Sequence, residues 1–238
     1  MSIKKLYING CSFTAGDNLD EKDTWPFKLS ILSKTELYNQ AKNGQSFGSI
    51  FENTIFHLSQ LDSKDTVVVI GMTWPHRHFF KYKGCNINIT PADFDNSRLA
   101  SKLNKIRRLS TPYYYEDSKE FDSLVGEVQS EREDILPIYE AKRDYIKTLI
   151  THNPDYKQEM FNTFLIQTLA LESFLIKNKF KYQFIGFHYD SGHLQQLRKN
   201  NKFDHSKLLY FDASPSDTMH PTAEDCTLIS NKIYETIF

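Results

Sequence analysis

One run of residues constrains the fold of this chain more than any other. From Asp65 to Gly71 the sequence reads Asp-Thr-Val-Val-Val-Ile-Gly, which is almost continuously β-branched and closes on a glycine. Such a run lacks the alternation of a half-buried strand and is typical of a strand buried on both faces of a parallel sheet. Because parallel strands need crossover connections, helices should separate this strand from its neighbours.

The rest of the chain shows that alternation. Its hydrophobic patterns predict a fold that is α/β: a flavodoxin-like three-layer α/β/α sandwich with a central parallel sheet of about five strands. In such sheets the active site lies at the carboxyl ends of the strands. We predict the other strands over residues 4–9, 36–39, 181–187 and 208–211, and helices over residues 25–33, 47–61, 156–180 and 222–237.

Residues 79–155 interrupt the alternation. They contain a basic stretch from Arg98 to Arg108 and an acidic stretch from Glu116 to Glu140. A segment of this length between two sheet strands is more than a connection. We therefore predict a single domain over residues 1–238, in which residues 79–155 form an inserted cap subdomain beside the active-site edge. The alternative is a solvated excursion with no catalytic role.

The two ends of the chain carry the residues of a nucleophilic site. Near the C-terminus, Asp217-Thr-Met-His-Pro-Thr222 holds an Asp and a His three residues apart, followed by a predicted helix cap in which Thr222 pairs with Asp225. Near the N-terminus, a short strand runs into Gly10-Cys11-Ser12. A Ser at a strand end, a His base and an Asp that orients the His are the parts of a catalytic triad.

These blocks resemble the SGNH (GDSL-like) hydrolase family. The family's first block, Gly-Asp-Ser, reads here Gly10-Cys11-Ser12, and its last block, Asp-x-x-His-Pro, is unaltered from Asp217 to Pro221. The second block has an Asn and then a Gly five residues later, as in Asn39 to Gly44. In the third block, Gly71-Met-Thr73-Trp74, Thr73 stands where the family has an Asn.

The resemblance implies a role for each of these residues. Ser12 would be the nucleophile, His220 its base and Asp217 the residue that orients the imidazole. The N–H groups of Ser12 and Gly44 and the hydroxyl of Thr73 would form the oxyanion hole. Asn43 is either a turn residue or a replacement for the missing Asn.

The reaction implied by the resemblance is the hydrolysis of an ester through an acyl-enzyme intermediate. The expected partner is a small-molecule or glycan ester, such as a carbohydrate O-acetyl group or another short acyl ester. Two alternatives remain open: a non-catalytic SGNH-fold protein with a binding or structural role, and an O-acyltransferase in which a hydroxyl acceptor replaces water.

Residues after the third and fourth strands are candidates for substrate binding. Trp74-Pro-His-Arg-His follows Thr73 directly, so Trp74 could stack on a sugar face and Arg77 could bind a carboxylate or a sugar hydroxyl. His188 follows the fourth strand and is expected to form part of the pocket wall. Alternatively, Trp74 and Pro75 start the inserted segment and the nearby charges are solvated.

Composition excludes several other classes of protein. The chain has 29 basic and 30 acidic residues and a net charge of −1, which gives no electrostatic case for nucleic acid. Its three cysteines are scattered, which argues for a reducing compartment and shows no metal-ligand spacing. No signal-peptide core or run of 18 apolar residues is visible, so we expect no membrane span and a cytoplasmic location. No metal and no cofactor are expected.

Overall fold

The computed structural model describes residues 3–17, 19–75, 77–82, 85–89, 132–187, 192–211 and 220–238. The chain divides into two compact units, the first made of Met1–Pro75 with Asn162–Phe238 and the second of His76–Phe161. The elements in chain order are β1 (Lys5–Asn9), α1 (Ser12–Ala15), α2 (Trp25–Ser33), β2 (Glu36–Asn39), α3 (Phe47–Leu58), β3 (Thr66–Gly71), β4 (His78–Tyr82), β5 (Cys85–Ile89), α4 (Arg132–His152), α5 (Tyr156–Lys177), β6 (Lys181–Phe187), α6 (Gly192–Arg198), β7 (Leu208–Phe211) and α7 (Ala223–Ile237).

The first unit contains a five-stranded parallel sheet. Its strand order is β2-β1-β3-β6-β7, and every neighbouring pair is parallel. Counting only the strands of this sheet, the order is 2-1-3-4-5, which is the flavodoxin-like order. The predicted fold class is confirmed, and β3 is buried along its whole length, as its uninterrupted apolar run requires.

Alternation along the strands separates the two faces of the sheet. On one face, Leu6 and Ile8 of β1 join a core cluster with residues of α2 and α7, such as Leu29 and Ile233. On the other face, the ring of Tyr7 lies 6.2 Å from that of His57 on α3. Helices therefore cover both faces, which gives the three layers predicted from the sequence.

The second unit combines a hairpin with a helix. Strands β4 and β5 pair in antiparallel register from His78 opposite Ile89 to Tyr82 opposite Cys85. Within this unit, the ring of Phe80 lies 6.4 Å from the ring of Tyr139 on α4. Tyr139 is fully buried. The hairpin was not foreseen, since the sequence analysis predicted no strand within residues 79–155.

Candidate active site

Ser12 lies where the polypeptide passes from a strand into a helix. Strand β1 ends at Asn9, Cys11 is the N-cap of α1, and Ser12 is the first residue of that helix. Gly16 ends the helix with a φ of 76°, a left-handed conformation that glycine adopts without a steric penalty. Ser12 is therefore held in a tight turn at the carboxyl edge of the sheet, and it is 5% exposed.

The side chain of Asn9 holds this turn in place through hydrogen bonds. Its amide nitrogen donates to the backbone oxygen of Ile50 at 3.3 Å and to the hydroxyl of Thr54 at 3.1 Å. Its amide oxygen accepts from the N–H of Gly10 at 2.8 Å. Since Asn9 is completely buried, these bonds fix the start of the loop that carries Ser12 relative to α3.

His220 lies beside Ser12 although 208 residues separate the two. Its Nε2 atom is 3.0 Å from the Ser12 hydroxyl, which is hydrogen-bonding distance. The imidazole also stacks on the ring of Phe13, with a centroid distance of 4.8 Å and an angle of 28°. Two residues later, Thr222 caps α7 and forms a capping box with Asp225, as the sequence predicted. The cap fixes the direction in which the chain leaves His220 toward α7.

The segment before Gly44 runs alongside the end of β1. The backbone N–H of Gln40 donates to the backbone oxygen of Ile8 at 2.7 Å, and the backbone N–H of Lys42 donates to the backbone oxygen of Gly10 at 3.2 Å. The side chain of Asn43 donates to Asp17 at 2.6 Å. This bond uses one of the two N–H donors of the Asn43 amide.

Gly44 itself has a φ of 75°, a conformation that favours glycine. Within the described residues, neither its N–H nor that of Ser12 donates a hydrogen bond. Thr73 follows β3 on the same edge of the sheet. It is 4% exposed, and its buried hydroxyl has no hydrogen-bond partner among the described residues. In the described part of the chain, three donors at the edge that carries Ser12 therefore have no acceptor.

A small pocket opens between the ends of β1, β3 and β6 in the first unit. Cys11 and Phe13, which flank Ser12 in the sequence, form one side, and Met72 and Trp74, which flank Thr73, form another. Cys11 packs in the core and also faces the pocket. The described residues that line the pocket are Cys11, Phe13, Met72, Thr73, Trp74, Phe187 and His193.

The remaining site predictions divide into three groups. Asp217 and His188 lie outside the described residues. Arg77 belongs to the second unit, so it is not part of the site as described for the first. Trp74 lies on the pocket wall, with its ring edge-on to Phe13 at 5.9 Å.

Sequence reasoning missed three residues that shape the site. Asn9 holds the Ser12 turn, Asp17 holds the Gly44 loop, and Thr14 is completely buried against Gly10 and Gly71. Only Asn9 gave a signal, since a polar residue at the end of a buried strand must find hydrogen-bond partners.

Two further properties concern the described part of the chain. No group of three or more His, Cys, Asp or Glu side chains there is arranged to hold a metal ion. No helix in these segments is both long enough and apolar enough to cross a bilayer.

No protein-family model matches the sequence, and no curated protein matches it. Solved structures match it in fold. A carbohydrate esterase family 2 enzyme with a carbohydrate binding domain, from Corynascus thermopiles, is 10% identical; the match covers 98% of this chain and 65% of that one, with a TM-score of 0.50.

Two further solved structures match over nearly the full length of both chains. A member of the lipolytic protein G-D-S-L family from Veillonella parvula is 10% identical over 98% of this chain and 97% of its own, with a TM-score of 0.44. A psychrotrophic esterase from Pseudoalteromonas is 12% identical over 98% and 96%, with a TM-score of 0.46. At such identities the likeness concerns the fold alone.

Proposed function

We propose that this chain is a serine hydrolase that cleaves an ester through an acyl-enzyme intermediate. The observation that carries the proposal is the 3.0 Å contact between the Ser12 hydroxyl and Nε2 of His220. A serine hydroxyl is a weak nucleophile at neutral pH and needs a base within hydrogen-bond reach. His220 supplies such a base at the carboxyl edge of the sheet.

The proposed reaction has two halves. The Ser12 oxygen attacks the ester carbonyl while its proton passes to Nε2 of His220. When the tetrahedral intermediate collapses, His220 returns that proton to the leaving alcohol, and the acyl group stays on Ser12. Water then attacks the acyl-enzyme, giving its proton to His220, and the acid leaves as Ser12 regains its proton. Asp217 is proposed to hold Nδ1 of His220, so that Nε2 is the atom that accepts a proton.

The oxyanion is proposed to bind the N–H groups of Ser12 and Gly44 and the hydroxyl of Thr73. This proposal is supported by the absence of any other acceptor for these three donors within the described residues. Such donors lower the barrier because they point at the place where negative charge develops. A Thr hydroxyl on a shorter side chain thus takes the position that an Asn amide holds in the resembled family.

A serine-reactive fluorophosphonate tests the proposal directly. Intact-mass measurement should show one adduct, located on Ser12 and absent in Ser12→Ala. Replacing His220 by Ala should slow labelling and the hydrolysis of 4-nitrophenyl acetate by ~10²–10⁴-fold, the usual contribution of a general base. The control is Ser59→Ala, because Ser59 is an exposed serine at the end of α3.

The outcomes separate the three functions considered. A folded protein that neither reacts at Ser12 nor hydrolyses esters would contradict the proposal and favour a binding role. Labelling at Ser12 with turnover only in the presence of an added alcohol would instead indicate an acyltransferase.

The segment 79–155 is proposed as a cap that selects among bulky ester substrates, with Arg77 just before it as a contact for their polar groups. Replacing residues 79–155 by a Gly-Ser linker should leave hydrolysis of 4-nitrophenyl acetate and remove discrimination among esters that differ in a bulky alcohol group. A linker variant that keeps the full preference would show that the segment has another role.

A further inference from the structure

The pocket lined by the sequence neighbours of Ser12 has two polar walls, Thr73 and His193, and several apolar walls. Thr73 presents a buried hydroxyl with no hydrogen-bond partner in the described chain. The apolar walls of the pocket are formed by Phe13, Phe187 and Trp74, together with Met72 and Cys11. The Thr73 hydroxyl beside these apolar walls matches a carbonyl oxygen followed by a short hydrocarbon group, and His193 is a second polar side chain at the pocket.

Aromatic packing fixes the size of this enclosure. The ring of Phe13 stacks on that of Phe187, with a centroid distance of 5.2 Å. The ring of Trp74 contacts the ring of Phe13 edge-on, with a centroid distance of 5.9 Å. Phe13 also stacks on His220, so the same ring touches the proposed base and borders the pocket. Phe187 is 5% exposed, which leaves it little freedom to turn aside.

The space inside is small. Counted as the volume open to the centre of a water-sized sphere, the pocket holds about 10 Å³. On this measure ~10–15 Å³ accommodates one water-sized group. A methyl group is of that size, whereas a longer alkyl chain would have to displace the rings of Trp74 or Phe187.

We propose that this pocket receives the acyl group of the substrate, and that Trp74 and Phe187 restrict that group to acetyl. The inference rests on the proposed hydrolase function and deepens it by naming the acyl half of the ester. In this arrangement the carbonyl oxygen lies toward Thr73 and the methyl group lies among Phe13, Trp74 and Phe187.

The test compares 4-nitrophenyl acetate, butyrate, hexanoate and octanoate, which share one leaving group and differ only in the acyl chain. One methylene in an apolar pocket typically changes kcat/KM by about 10–200-fold. The unsubstituted protein should therefore prefer acetate to butyrate by at least ~10-fold. Trp74→Ala removes a partly exposed wall and should raise the butyrate-to-acetate ratio by a similar factor.

Phe187→Leu is the second variant, since it shortens the wall while keeping the core apolar, and it should shift the ratio in the same direction. Tyr234→Ala is the matched control, because Tyr234 is an exposed aromatic residue on α7. Its ratio should equal that of the unsubstituted protein.

Two results would overturn the inference alone. One is equal turnover of octanoate and acetate by the unsubstituted protein, and the other is an unchanged ratio in both pocket variants, in each case with Ser12 still labelled by the fluorophosphonate. Failure of the proposed function looks different, because then Ser12 is not labelled and no ester in the series is hydrolysed.

Discussion

The side chain of Thr14 occupies the space that a methyl group on Gly71 would need. A Cβ atom at Gly71 or at Gly10 would overlap the Thr14 hydroxyl. Thr14 is fully buried, and its hydroxyl has no hydrogen-bond partner in the described residues. Its contribution is therefore steric: it packs the short helix that begins at Ser12 against the ends of β1 and β3.

Gly71→Ala should consequently destabilise the protein and slow ester hydrolysis. Overpacking of a well-packed site typically costs about 1–3 kcal/mol in the free energy of unfolding. Adding Thr14→Ala should recover most of this loss, because the nearest remaining atom would be the Cβ of residue 14 at 3.4 Å. Urea unfolding of the two single variants and the double variant measures the coupling. Strictly additive effects would contradict the steric explanation.

The fold could be predicted where a local sequence pattern is compatible with only one type of secondary structure. The runs that became β2, β6 and β7 have the predicted bounds, since each is a short apolar segment between polar residues. Helix ends were less predictable. The helical pattern extends to Phe180, yet α5 ends at Lys177 because Lys179 turns into the left-handed region with φ 61°. The ring of Phe180 then folds back onto Phe174, so its apolar character does not reveal where the helix stops.

The site was predictable only in part. Ser12 and His220 were proposed because short blocks of sequence resemble a known family, and the structure places the Ser12 hydroxyl 3.0 Å from Nε2 of His220. The bonds from Asn43 to Asp17 and from Asn9 to Thr54 join residues far apart in the sequence with no motif in common. Such contacts depend on how distant loops pack together after folding, so no local sequence pattern predicts them.

Thr73→Val should separate catalysis from stability. The Thr73 hydroxyl is buried and has no hydrogen-bond partner in the segments that the structure describes, so replacing it with a methyl group should leave the free energy of unfolding unchanged or raise it. If the hydroxyl stabilises the oxyanion, kcat should fall by ~10²–10³-fold. Thr73→Ser keeps the hydroxyl and should retain most of the activity. A valine variant with lower stability and full activity would show that Thr73 has a structural role instead.

Substitutions of two aspartates near the C-terminus should have opposite effects, one on kcat and the other on stability. Asp217→Asn is expected to lower kcat by up to ~10⁴-fold with little change in stability, because it would leave His220 in the wrong tautomer. Asp225 accepts the backbone N–H of the helix cap Thr222 at 2.9 Å. Asp225→Ala should therefore cost ~0.5–2 kcal/mol of stability, the range for loss of a helix cap, and leave kcat nearly unchanged. Chemical denaturation and initial rates for both variants distinguish the roles, and a catalytic defect confined to Asp225→Ala would reverse the assignment.

The buried Glu172 should make stability depend on pH. Burial raises the pKa of this carboxyl, although hydrogen bonds from the Asp204 N–H and the Tyr182 hydroxyl oppose the shift. The native state therefore keeps the proton of Glu172 to higher pH than the unfolded chain, in which an ordinary Glu titrates near pH ~4.3. From that pH up to the raised native pKa, the native state binds more protons, so the free energy of unfolding should fall as pH rises.

Glu172→Gln removes the titration while keeping an oxygen that can accept both hydrogen bonds. Its free energy of unfolding, relative to that of the unsubstituted protein, should increase between pH 4 and pH 8. Urea unfolding at intervals across this range measures the difference. Glu235→Gln, which changes an exposed residue of α7, serves as the control and should give a curve parallel to that of the unsubstituted protein. If Glu172→Gln also ran parallel, the ionisation of Glu172 would be the same in the native and unfolded states, and its burial against Tyr182 would carry no electrostatic cost.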